Sequence, residues 1–175
     1  MRKALVVSLI IAASALLAVD AAAASAPSTA GLAAKAPACA GKTKKAATKA
    51  IEKSYDMVLN GTVERTLDQK FAFVEGSDKP EFRALLDDIA AKNAGLLATT
   101  SVKVNSVTCT GKKSADVAFD LVLNGSPSPG LAPPGAAVLD GKTWKMSSLT
   151  VCDLFSLSDP ALVDSGPCAD LQAGG

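Results

Sequence analysis

The chain has 175 residues, with 18 Lys and Arg against 17 Asp and Glu, no His, four Cys, 49% hydrophobic residues and 4% aromatic ones. The length fits one domain. The lack of His removes the commonest general base, the Ser-His-Asp and Cys-His nucleophile systems, and every His metal site. The near balance of charge argues against bulk nucleic-acid binding, which needs a basic field against phosphate. With only 20% charged residues, the chain as a whole does not read as disordered.

Residues 1–24 read as an export signal. Arg2 and Lys3 form a short basic stretch, residues 4–19 are uncharged and mostly apolar, and Ala22-Ala23-Ala24 is a small-x-small cleavage site. The apolar run is short for a membrane span, which takes about 20 residues. Cleavage after Ala24 removes Arg2, Lys3 and Asp20 and leaves a chain with no net charge. Lipid attachment at Cys39 is the lesser reading, because Ala36-Pro37-Ala38 offers no leucine three residues before the cysteine. No second long apolar run follows, so no transmembrane helix is expected in the mature chain.

Residues 25–42 are rich in Ala, Pro, Ser and Gly and read as a linker, with order beginning near Cys39. Four cysteines in an exported chain favour two disulfides. None is spaced as CxxC, so neither a redox motif nor a zinc ribbon is supported. Of three connectivities, Cys39–Cys109 with Cys152–Cys168 is preferred. The first would pin the N-terminal segment to a strand end, and the second would tie down the C-terminal tail.

Residues 43–59 predict a helix, capped by Thr43 and stopped by Asn60-Gly61, with Ala47, Ile51, Tyr55 and Val58 on one face. Lys44, Lys45 and Lys49 read as a solvated face. Residues 63–69 suggest a short helix, after which Phe71 and Phe73 alternate with Ala72 and Val74. A second helix is predicted from Asp78 as N-cap, with Pro80 in its first turn and Glu81 completing a capping box. Phe82, Leu85, Leu86 and Ile89 form its apolar stripe, and Gly95 closes it.

The remainder reads as strands. Residues 99–109 form the first, with a bulge near Asn105-Ser106 where the alternation slips. Ala115, Val117, Phe119, Leu121 and Leu123 alternate strictly in the second. Residues 124–135 read as a Pro-rich loop. Residues 136–139 and 143–151 form a hairpin about Asp140-Gly141. Residues 153–175 read as an irregular tail with one helical turn at most. Helices followed by strands imply an α+β domain. Two to three N-terminal helices would pack on a curved four-stranded antiparallel meander over residues 43–157, with residues 158–175 as a disulfide-tethered tail.

This order of elements resembles the cystatin-like roll shared by nuclear transport factor 2, the ketosteroid isomerases and the limonene-epoxide hydrolases. More narrowly, residues 45–157 resemble the secreted low-molecular-weight antigen family of mycobacteria and other actinobacteria. The resemblance rests on Phe73-Val74-Glu75-Gly76, on Ser114-Ala115-Asp116-Val117, and on Val138-Leu139-Asp140-Gly141-Lys142-Thr143-Trp144-Lys145-Met146-Ser147. It implies a secreted or envelope-associated protein without an established activity. The four cysteines and the Pro-rich loop depart from that pattern.

No catalytic residue, cofactor motif or metal-ligand spacing is identified. Isomerases of this fold use a carboxylate base with a tyrosine. Here the one tyrosine, Tyr55, reads as packing on the sheet, and Asp116 and Asp120 lie on the parity opposite Phe119. Tyr55, Phe71, Phe73, Phe82, Phe119 and Trp144 are candidates for an apolar pocket, or simply for the core. The expected function is a non-enzymatic exported binding or interaction module, antigen-like, meeting an envelope or extracellular partner or a small apolar ligand. An isomerase- or dehydratase-like enzyme acting on an apolar molecule is the alternative. Dimers through the open sheet face are common for this fold and are a further candidate.

Overall fold

The computed structural model describes residues 36–164 and 166–173. The expected signal peptide, and the expected linker up to residue 35, lie outside the described residues. Helix α1 (Lys44–Leu59) buries Ala47, Ile51, Ser54, Tyr55 and Leu59, while Lys44, Lys45 and Lys49 stay exposed. Val58 lies at the edge of this face rather than within it, and Ser54 takes the buried place by turning its hydroxyl onto the Ile51 carbonyl at 2.8 Å. Thr43 holds the N-cap position without capping. Its Oγ1 is shared between the Ala38 and Ala40 carbonyls, both at 2.7 Å, so it anchors the incoming segment instead.

The short helix expected at 63–69 forms later, as α2 (Leu67–Phe71), because Thr66 and Gln69 make a reciprocal capping box. Helix α3 (Pro80–Lys92) buries Phe82, Leu86, Ile89 and Ala90. Its N-cap is Lys79 and not Asp78, since Pro80 takes the first helical position and leaves Asp78 one residue too early. Gly95 does not end the helical region. The chain breaks at Asn93, whose side chain donates to the Ile89 carbonyl at 2.9 Å, and resumes as α4 (Ala94–Thr99).

The sheet follows. Strands β1 (Thr100–Cys109), β2 (Ser114–Leu123), β4 (Gly135–Asp140) and β5 (Thr143–Met146) lie antiparallel in that order. The register slips between Val104 and Ser106, which is the expected bulge. The Pro-rich segment is not wholly loop. It opens with a short strand β3 (Ser126–Ser128), paired with the end of β2 through a tight turn at Asn124-Gly125, both at positive φ. Residues 73–75 cover the free edge of β5, with Glu75 N donating to Met146 O and Met146 N to Phe73 O, each at 2.9 Å.

The sheet curls round α1, which touches both β1 and β5. Ala115, Val117, Phe119 and Leu121 of β2, and Trp144 and Met146 of β5, face it and are buried. Lys103, Asn105, Thr108 and Asp116 are exposed. The fold is therefore an α+β roll. The strand expected over 143–151 ends at Met146, because Ser147 caps α5 (Ser148–Ser156) by accepting from Thr150 N. The Glu75 carboxylate also meets Ser148 N at 3.2 Å, where a helix N-terminus favours negative charge. The expected irregular tail holds instead a 3-10 turn (Pro160–Val163) and α6 (Gly166–Ala173). Its Cys168 is wholly buried.

Cys39 bonds to Cys109 and Cys152 to Cys168. These bonds close loops of 70 and 16 residues. Loop entropy assigns them about 4 and about 3 kcal/mol respectively. In guanidinium titrations, Cys39→Ser/Cys109→Ser is expected to lose more stability than Cys152→Ser/Cys168→Ser. The opposite order would show that docking of α6, rather than loop entropy, sets the worth of the second bond.

Candidate functional site

The six candidate aromatic residues do not gather into one pocket. Tyr55, Phe119 and Trp144 lie deep in the core, which Phe71 and Phe82 join from its margins. The Tyr55 and Phe119 rings meet edge to face with centroids 5.1 Å apart. The Tyr55 hydroxyl donates to the Ala136 carbonyl at 3.0 Å, and the Trp144 indole N–H donates to the Pro37 carbonyl at 2.9 Å. Phe71 is buried at the wall of an apolar groove, Phe82 borders a smaller depression beside α6, and Phe73 is half-buried at the covered edge of β5.

Tyr55 sits in a closed polar network. Thr150 Oγ1 accepts from Ala136 N at 2.8 Å and lies 2.8 Å from Ser147 Oγ. Among the described residues, no buried side-chain nitrogen or oxygen lacks a hydrogen-bond partner. Burial raises the Tyr55 pKa far above its ordinary value near 10, with the Thr150 contact opposing it weakly. The native hydroxyl therefore keeps its proton, and stability is lost only as the unfolded tyrosine ionises above about pH 10. This tyrosine is built for structure rather than proton transfer.

The apolar groove lies where α1, α2, α3, α4 and α5 converge, with a volume of about 500 Å³. Leu59, Phe71, Val74 and Leu86 are buried walls, and Ala91, Ala94 and Ala98 leave it open on one side. Val63 and Leu67 stand exposed beside it. A second apolar groove of about 230 Å³ adjoins it across Leu59, Leu97 and Phe155. Exposed Leu96, Leu131 and Leu157 border this second groove. Of the expected pocket residues only Phe71 lies in the larger groove and none in the second, because most of the walls are aliphatic residues scattered over separate helices. The usable signal was Leu96 and Leu97 beside small alanines, placed just after a helix already recognised.

Four charged residues line the larger groove: Glu64, Arg65, Lys70 and Asp87. Arg65 is paired with Asp56 at 2.8 Å. Asp87 is paired with Arg83 at 3.1 Å, and the same guanidinium lies 5.0 Å from the Phe71 ring centroid. A wide depression of about 610 Å³ also lies on the outer face of the sheet under the Pro-rich loop. Asp116, Asp120, Asn105 and Thr108 give its walls a larger polar share than those of either groove, beside apolar Phe119, Pro133 and Pro134. Asp116 and Asp120 thus lie away from Tyr55, on the solvent side of β2. No group of three His, Cys, Asp or Glu able to hold a metal occurs among the described residues, and none of their helices is long and apolar enough to cross a membrane.

Gly135 is what allows Tyr55 into this network, since a methyl group there would overlap Tyr55 Oη and the Phe119 ring. Tyr55→Phe is expected to cost only about 1 kcal/mol, because Ser147 N still bonds the Ala136 carbonyl at 3.0 Å. Gly135→Ala is expected to cost about 1–3 kcal/mol by overpacking, and less when combined with Tyr55→Phe. Urea titration of the three variants checks this; strict additivity would mean that the hydroxyl is not what the methyl meets.

Residues 44–161, from the start of α1 to the turn after α5, match the family described as low molecular weight antigen MTB12, C-terminal domain. No curated protein and no solved structure matches the chain. The match spans two thirds of the sequence and takes in the whole sheet and both grooves, so the chain belongs to the MTB12 low molecular weight antigen family through its C-terminal domain.

Proposed function

We propose that the protein is an exported binding module that holds a small apolar molecule in the groove between α1 and α5, at or beyond the cell envelope. The observation that carries this reading is the groove itself. It has about 500 Å³ of space, walls of Leu59, Phe71, Val74 and Leu86, and a rim of exposed Val63 and Leu67. Binding sites for small molecules fall in this size range and are mostly apolar. Large apolar side chains left in water at the mouth of a cavity are a cost that a ligand would remove.

Export is supported by the sequence of residues 1–24, by two disulfides, which persist in oxidising compartments, and by membership of an antigen family. Binding is preferred to catalysis on the chemistry of the walls. An isomerase or dehydratase needs a carboxylate or tyrosine with a perturbed pKa facing its substrate. Tyr55 is not among the groove residues and is bonded to a backbone carbonyl. Asp87 is held by Arg83, and Glu64 is exposed.

The test is fluorescence of the neutral probe N-phenyl-1-naphthylamine. Its emission is expected to rise and saturate with the wild-type protein. Ala94→Trp, which fills the open side from an exposed position on α4, is expected to abolish the rise with little change in melting temperature. A probe signal that survives Ala94→Trp would place the apolar site elsewhere, and no signal with the wild type would remove the binding reading.

A further inference from the structure

We propose that the ligand is a single-chain anionic amphiphile, with its head at Lys70 and its chain running along the two adjoining grooves. The inference rests on the binding reading above and adds the chemical class of the ligand.

The shape comes from the apolar walls. The two grooves lie side by side with Leu59, Leu97 and Phe155 as common lining residues, so a ligand reaching over these residues into both would follow an elongated path. It runs from α2 at one end to exposed Leu131 and Leu157 at the other. An unbranched chain fills such a space, and each methylene withdrawn from water adds to affinity. The charged lining lies wholly in the larger groove, so only one end of the ligand meets charge.

The sign comes from the pairing of those charges. Arg65 has Asp56, and Asp87 has Arg83. That leaves Glu64, which is exposed, and Lys70, which is half-buried and has no ion-pair partner among the described residues. A carboxylate in water is already solvated, whereas a half-buried ammonium is not fully so. The Lys70 pKa is lowered, chiefly by burial and then by the positive charge of Arg65. Lys70, a half-buried cation without an ion pair among the described residues on the lining of an apolar groove, is a seat for an anion. A carboxylate or phosphate there would restore what Lys70 loses in solvation.

Displacement of N-phenyl-1-naphthylamine by four C12 compounds tests this. Dodecanoate and dodecyl phosphate are expected to displace it at about tenfold lower concentration than 1-dodecanol, the scale of one charge-assisted contact. Dodecylamine is expected to be weaker than 1-dodecanol, and acetate and inorganic phosphate, which lack the chain, are expected to displace nothing. Lys70→Gln should remove the gap between dodecanoate and 1-dodecanol, and Lys70→Arg should keep it. Equal displacement by dodecanoate and 1-dodecanol would overturn the anionic head while leaving the apolar groove intact. A preference for dodecylamine would assign the site to Glu64 and also overturn it. If no C12 compound binds, by displacement or by calorimetry, the binding reading itself fails.

Discussion

One helix lies inside a curled sheet, and the contact that permits this is Tyr55 over Gly135. The tyrosine is wholly buried, so its hydroxyl needs a partner within reach. It finds the carbonyl of the residue after the glycine, and the missing side chain leaves room for the ring and for Phe119 beside it. The same Ala136 carbonyl also accepts from Ser147, the residue that starts α5. A single peptide group therefore fixes α1 against the sheet and sets where α5 begins. Helix α5 then carries Val151, Leu154 and Phe155 to the walls of the two grooves. The apolar site follows from how α1 is held.

Much of this was legible in the sequence wherever one physical pattern acted alone. The strict alternation of Ala115 to Leu123 marked β2, the Phe82–Ile89 stripe marked α3, and Asp140-Gly141 marked the hairpin. Reading failed where two signals competed. Gly95 looks like a helix stop, yet Asn93 had already broken the helix and Gly95 sits inside the next one, at a place where a side chain would meet no neighbour. The β-branched Thr150 and Val151 look like strand, yet Ser147 and Glu75 together cap a helix there. Asn124-Gly125 is a hairpin signal as strong as Asp140-Gly141, but the prolines that follow hid it. The site was harder still. Aromatic residues are conspicuous in a sequence, and here most of them fill the core, whereas the groove is built largely from leucines, valines and alanines, with Phe71 and Phe155, that no periodicity links. Lys70 is one lysine among many until its neighbours in space are known.

The disulfides divide between the family domain and its flanks. Cys109 and Cys152 lie within the matched residues 44–161, and Cys39 and Cys168 lie outside them. Each bond thus fastens a flanking segment onto the shared domain. Cys39 N also donates to Lys112 O at 3.0 Å, which ties the N-terminal flank to the turn between β1 and β2. The Cys152–Cys168 bond starts from α5, next to the groove residue Val151, whereas the Cys39–Cys109 bond starts from the end of β1.

The groove has one boundary made of main chain alone. Gly61 lies against the Leu97 carbonyl so closely that a methyl group would overlap it, and Gly61 N donates to Thr100 O at 2.8 Å. Both Gly61 and Leu97 border the larger groove. At this point α4 and the segment after α1 are held together by two backbones in contact and not by any side chain of residue 61. Substitutions elsewhere along the walls can reshape or recharge the groove, but this contact does not depend on them. The closeness of the two segments here is thus a property of the fold, whereas the charge of the groove rests on side chains that can be exchanged without disturbing that contact.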